Sequence, residues 1–373
     1  MHTLILSCNT GQGHNSCARA ISEVFEAHGS PCEIADSLLF ISEAASHFIS
    51  SWHVRMYRYL PKLYKSSYKG VESHASPFKE DSPIYQYLCS GAERMYEYIL
   101  RGGFDCIICT HVFPAIALTN MLAHHPVGIK TAFVATDYTC SPGTADSSLA
   151  HYFIPDASLI DEFAACGVDP ARIIPSGLPV RREFYLPGDA AQAKRRIGVA
   201  EGHRHMLLMC GSMGCGPMYA LAVELSARLS PAEELTIICG SNARLYDKLG
   251  RELFALPNIH IEAAVDDMPL YMRASELYLT KPGGLSTSEA AAMGLPMVLI
   301  DTVAGCEAHN LDFFVKKGGA VTADTPQELA DIAVALLRDD ARRAGMSRAL
   351  RPSASLLPAE CIYETMIARA AEA

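Results

Sequence analysis

Three segments of this 373-residue chain place glycines between a short apolar run and a helical pattern. They are Asn9-Thr-Gly-Gln-Gly-His14 after LILS, Cys210-Gly-Ser-Met-Gly-Cys-Gly216 after MLLM, and Lys281-Pro-Gly-Gly-Leu-Ser-Thr-Ser-Glu289 after LYLT. Glycine lets a backbone turn tightly and approach a ligand closely. The helix that follows presents unpaired N–H groups and a positive dipole end, which together seat an anion. Gly11, Gly13, Gly211, Ser212, Met213, Gly214, Gly283 and Gly284 are therefore expected to line anion sites. Ser286, Thr287 and Ser288 suit the N-cap of the third helix. An ordinary strand-to-helix turn accounts for any one of these loops; three in corresponding positions point to a ligand. None is a Walker A loop, because Lys281 precedes its glycines and no GKS or GKT follows. The first loop also lacks the third glycine of the dinucleotide fingerprint.

His14 closes the first loop. An imidazole titrates near neutral pH, so His14 is the first choice for a general base. It could equally bond a phosphate oxygen or cap its helix. Asp137, ending the run TAFVATD, is the alternative base or a partner that orients one; a simple cap is the bland reading. Cys106 and Cys109 form a CxxC inside FDCIICTH, but residues three apart on a strand point to opposite faces, so no metal or redox pair is expected there.

These groups need elements to carry them. Short apolar runs at 3–7, 106–110, 131–135, 152–154, 206–210, 235–239, 259–262, 277–280 and 297–300 read as strands buried on both faces, with helical stretches between most of them. Such alternation means parallel sheets with right-handed crossovers. The proline-rich IPSGLPVRREFYLP marks a linker, after which the pattern restarts at HMLLMCG. The expected organisation is an N-terminal domain over 1–178, a linker at 179–187, a second domain over 188–352, and a helix at 353–373 that packs back on the first. Ligands bind at the carboxyl ends of the strands in such sheets.

Half of the residues are apolar and 19% are charged, which describes a globular chain. No run is long enough to cross a bilayer, and the N-terminus lacks a signal-peptide pattern, so a protein that is cytoplasmic, or attached to a membrane from that side, is expected. A net charge of −10 argues against nucleic-acid binding. Thirteen scattered cysteines suit reduced core thiols. Residues 47–70 stand apart from this acidic background. They carry the only Trp, five further aromatics and five basic residues without an acid. Arg55, Arg58, Lys62, Lys65 and Lys69 share one helical face, with Trp52, Met56, Tyr59 and Leu63 on a neighbouring one. The expected role is docking on an anionic membrane surface, each basic residue adding ~1 kcal/mol. Pro61 would kink or split that helix.

The ordered motifs resemble a known family. KPGGLSTSEAAAMGLPMVLID at 281–301 and GCEAHN at 305–310 are similar to the C-terminal signature of glycosyltransferase family 28. Within it, the chain most resembles monogalactosyldiacylglycerol synthases and processive diacylglycerol glucosyltransferases. SCNTGQGHNSCARAI, THVFP, VATD, SGLPVRREF, CGSMGCGPM and CGSNARLYDKL follow in family order along nearly the whole chain. The resemblance implies a GT-B fold: α/β, with two Rossmann-like parallel-sheet domains facing across a cleft. It implies a diacylglycerol-type acceptor on the first domain, and UDP-glucose or UDP-galactose on the second. It further implies transfer with inversion and with neither essential metal nor cofactor. Asp266-Asp267 reads as a helix start, not as a DxD metal motif. Glu289 would hold the ribose, Gly240, Asn242 and the Val265–Met268 stretch the uracil, and Glu307 and Asn310 the sugar. Backbone amides of Gly211–Gly214 and of a helix starting near Ser286 would take the leaving-group charge. Position 306 is Cys where relatives commonly carry Gln, which leaves the sugar open. Other acceptors on the same fold, such as a polyprenyl-linked peptidoglycan precursor or a natural product, a non-transferring nucleotide-sugar sensor, and an epimerase are the alternatives.

Overall fold

The computed structural model describes residues 1–9, 12–44, 78–80, 82–300, 305–351 and 356–368. Gly11 and the basic aromatic segment, with Trp52, Arg55, Arg58, Lys62, Lys65 and Lys69, lie outside the described residues. The chain divides into two compact units at Arg181–Arg182, and the C-terminal helix Pro358–Ala368 belongs to the first. Among the described residues no helix is long and apolar enough to cross a membrane.

Each unit is built on a six-stranded parallel sheet. The first contains β1 Thr3–Ser7, β2 Cys32–Asp36, β3 Cys106–Cys109, β4 Lys130–Val134, β5 His151–Ile154 and β6 Ile173–Pro175, in the order β2-β1-β3-β4-β5-β6. The second contains β7 Arg204–Met209, β8 Glu233–Ile238, β9 Ile259–Glu262, β10 Leu277–Thr280, β11 Met297–Leu299 and β12 Ala320–Thr322, in the order β12-β11-β10-β7-β8-β9. The second order is that of the dinucleotide-binding folds. In each sheet the winding direction reverses once, between β1 and β3 and between β7 and β10. A crevice opens at that point because the crossover helices leave to opposite faces.

Leu4–Leu6, Ile107–Cys109, Met206–Leu208 and Leu277–Leu279 are all fully buried, as strands covered on both faces must be. Every apolar run expected to be a strand forms one. Three further strands, β2, β6 and β12, carry no such run. Each is a sheet edge with mixed burial, where one side faces water and a continuous apolar pattern is not required. Cys106 and Cys109 lie within β3 as free buried thiols, and burial pushes Cys106 up to about 12. No cluster suited to a metal occurs among the described residues.

The helix Pro358–Ala368 packs on the first long helix, Gln12–Ala27. Ile362, Tyr363 and Met366 enter the same core as Ile5, Ile21 and Phe25. His28 stacks on Tyr363 at 4.1 Å and reaches Glu360 at 2.8 Å.

The second sheet is tied at its amino end by charge. Arg338 donates from Nε and one terminal nitrogen to the two oxygens of the buried Glu233, both at 2.7 Å. This fork holds the Glu233 carboxyl at about 2, below its ordinary 4.5. A depressed carboxyl contributes stability above its unfolded pKa and loses it as pH falls toward the folded one. Arg338→Ala is therefore expected to cost about 1–3 kcal/mol at pH 7, the cost of stranding a buried carboxylate. In urea titrations the deficit should shrink below pH 4.5; an equal deficit at pH 7 and pH 3 would refute the pairing.

Candidate active site

In the first unit the site forms where β1 and β3 diverge. The loop after β1 is braced by a polar chain: Ser7 donates to Asn15 at 2.6 Å, Asn15 to Asn9 at 2.8 Å, and Asn9 to Asp36 at 3.0 Å. Helix Gln12–Ala27 then starts directly, which places half-buried Gly13 and His14 in its first turn. His14 Nδ1 lies 2.8 Å from the carbonyl oxygen of Thr110, at the end of β3. A carbonyl can only accept, so Nδ1 carries the proton and Nε2 keeps its lone pair. The Thr136 hydroxyl, 3.1 Å away, is a second acceptor for the same N–H. Two strand ends thereby fix the ring and its tautomer. Asp137 follows Thr136 beyond β4 and is also half-buried.

His111 belongs to this cluster and was not among the expected residues. It caps helix Val112–His124: its Nδ1 accepts from the Phe113 N–H at 3.0 Å, which puts its own proton on Nε2. Its ring meets His14 edge-on at 4.5 Å. The signal in the sequence is a histidine just past an apolar strand, in THVFP.

In the second unit the equivalent reversal brings the Gly211–Gly216 loop beside the Lys281–Gly284 loop. Gly211, Gly214 and Gly240 have φ of 66°, 55° and 58°, in the left-handed region. The loops after β7 and β8 interlock. A Cβ on Gly214 would meet the Cys239 carbonyl oxygen at 2.2 Å, and one on Gly240 would meet that of Ser212 at 2.2 Å. Ser241 N–H donates to that Ser212 oxygen at 2.8 Å, and the Asn242 amide donates to Gly214 O at 2.9 Å while its oxygen caps helix Ala243–Leu253. Asn242 thus positions both loops. Val265 lies between β9 and the next helix, Met268–Arg273, which Asp267 caps through Leu270 N–H; Met268 opens that helix. Asp267 is a helix start, as its sequence context indicates.

Lys281 supplies a charge that the glycine motif alone did not single out. Its aliphatic stem runs against the Gly211–Gly216 loop, with Cε 3.0 Å from where a Gly211 Cβ would stand. Its ammonium pairs with Glu307 at 2.6 Å, on helix Cys306–Lys316, which Cys306 opens. Three residues on, Asn310 is fully buried and donates its amide to Pro282 O at 3.0 Å. Asn310 therefore anchors the Lys281–Gly284 loop, and its amide nitrogen is directed at backbone rather than outward.

The third helix begins two residues earlier than expected. It runs Gly284–Ala292 and is capped by extended Gly283 with no side-chain bond. Ser286, Thr287 and Ser288 are inside it. Thr287 donates back to Gly283 O at 3.0 Å, Ser288 to Gly284 O at 2.7 Å, and Ser286 pairs with the Tyr278 hydroxyl at 2.9 Å. Serine and threonine bond either a following N–H or a preceding carbonyl, and here the glycine pair lets the helix start first. Thr287 N–H makes the first helical bond, to Gly283 O at the N-cap, so the amides of 284–286 head the helix where an anion would sit. Glu289 sits half-buried in the second turn.

Glycine loops at the reversal points of two Rossmann-like parallel sheets, one headed by a tautomer-locked histidine and one backed by a lysine, are the GT-B architecture. The chain belongs to glycosyltransferase family 28: residues 14–180 match monogalactosyldiacylglycerol (MGDG) synthase and residues 205–353 match the glycosyltransferase family 28 C-terminal domain. A processive diacylglycerol beta-glucosyltransferase of Staphylococcus saprophyticus is 24% identical over 353 residues, covering 94% of this chain and 88% of its own. Among solved structures, Acinetobacter baumannii MurG aligns with a TM-score of 0.62 at 12% identity, covering 98% and 99% of the two chains. A putative UDP-N-acetylglucosamine 2-epimerase of Listeria monocytogenes aligns at 0.65 and 15%, covering 99% and 97%. At these identities the structural likeness speaks for the fold alone.

Proposed function

We propose that this glycosyltransferase moves a hexose from a UDP-sugar to a diacylglycerol-type lipid, with inversion and without an essential metal. The observation that carries the reading is the fixed tautomer of His14, which aims a basic Nε2 away from β3. The acceptor hydroxyl gives its proton to that nitrogen as its oxygen attacks the anomeric carbon. The bond from that carbon to the diphosphate oxygen breaks on the opposite face, and its electron pair leaves with UDP. The amides of Gly211–Gly214 and of the 284–286 turn, with Lys281 beside them, meet the growing negative charge. Positive groups of this kind do the work a divalent ion does elsewhere. Glu289 then accepts from the ribose hydroxyls, Gly240, Asn242, Val265 and Met268 surround the uracil, and Glu307 faces the sugar. The diacylglycerol acceptor is supported by the name of the staphylococcal relative and by the family matched over residues 14–180.

The test is a panel of UDP-sugars against lipid acceptors in vesicles, with products read by mass. A hexosyl-diacylglycerol should form, with UDP released, undiminished in a chelator. Anionic vesicles should accelerate it, and replacing Arg55, Arg58, Lys62, Lys65 and Lys69 with Gln should remove that acceleration. UDP-sugar binding without turnover on any lipid would point to a sensor, and turnover on a polyprenyl diphosphate alone would move the acceptor.

A further inference from the structure

The segment that begins with Thr136 and Asp137 runs on to Cys140 and is held by Glu162, on the short helix Ile160–Ala165. Glu162 Oε1 accepts from the Thr139 hydroxyl at 2.5 Å and from the Cys140 N–H at 2.8 Å. Cys166 stands one turn further along the same helix, its N–H bonded to Glu162 O at 3.0 Å. Next to it, a Cβ on Gly167 would stand 3.5 Å from the Ala145 Cβ, so the helix end abuts the same segment. The segment that carries Cys140 and the helix end that carries Cys166 are thus both bonded to Glu162, and each thiol acts on the other. Cys166 is exposed and Cys140 half-buried, whereas Cys8, Cys17, Cys106, Cys109, Cys210 and Cys239 are buried.

We propose that Cys140 and Cys166 form a reversible disulfide when the protein meets a low-molecular-weight disulfide, a modification site three residues from Asp137. The exposed Cys166 thiolate attacks one sulfur of the small disulfide and expels a thiolate, leaving a mixed disulfide. The Cys140 thiolate then attacks the Cys166 sulfur and expels the second thiolate. Two protein thiols are oxidised by two electrons, and one small disulfide is reduced to two thiols. Burial, Cys166 and Glu162 all push the Cys140 thiol up, so the second step is slow at neutral pH and quickens as pH rises.

Native protein is incubated with oxidised glutathione, alkylated, digested without reduction and mapped by mass. The expected result is a Cys140–Cys166 linked peptide, the loss of two of the thirteen thiols, reversal by dithiothreitol, and faster closure at pH 9 than at pH 7. In Cys140→Ser, glutathione should remain attached to Cys166. Glutathione retained on Cys166 in the unsubstituted protein, or linkage of either cysteine to another, would overturn the assignment. The map of the unsubstituted protein decides the matter even if the variant does not fold.

Discussion

His14→Ala is expected to reduce kcat of sugar transfer by about 10²–10⁴, the usual contribution of a positioned general base. UDP affinity, measured by calorimetry, should stay nearly unchanged. The reason is the division of labour between strand ends. Nδ1 of His14 is spent on Thr110 O and the Thr136 hydroxyl, so the ring offers one lone pair, at Nε2. Thr136→Val should be milder, because the Thr110 carbonyl still fixes the tautomer. If His14→Ala turns over normally, Asp137 becomes the base. If it loses UDP affinity as much as turnover, His14 is an anion contact.

The second large effect is expected at Gly240. Alanine there would need a left-handed backbone, costing roughly 1–2 kcal/mol, and would drive a methyl group against the Ser212 carbonyl oxygen. Since both obstacles are backbone, the β7 and β8 loops must separate. Gly240→Ala should lose about 2–4 kcal/mol of stability and most of its UDP binding. Gly250 provides the control. It lies in helix Ala243–Leu253, and nothing stands within 4 Å of an added Cβ, so Gly250→Ala should be neutral or stabilising by about 0.5–1 kcal/mol. Intact UDP binding in Gly240→Ala would show that the loops yield without consequence.

Much of this was legible in the residues. Continuous apolar runs located the central strands because both faces of a parallel sheet are covered, and glycine marked the loops because their φ values demand it. The edges β2, β6 and β12 gave no such signal. Local patterns also cannot rank competing hydrogen bonds, which is why Ser286–Ser288 read as a cap yet bond backward inside the helix. Asn310 suggested a sugar contact from its place in GCEAHN; that its amide also anchors the loop at Pro282 is visible only in the fold. His111 matters through His14, and Lys281 through Gly211 and Glu307, residues distant in sequence that only the fold brings together.

The placement of helix Pro358–Ala368 has a consequence for biosynthesis. Ile362, Tyr363 and Met366 complete a core whose other members, from Ile5, Ile21 and Phe25 on to Phe153, leave the ribosome well before them. Residues 182–351 must be made in between. The unit translated before the other therefore cannot complete its core until after it, and until then it carries an uncovered apolar face of the kind chaperones hold.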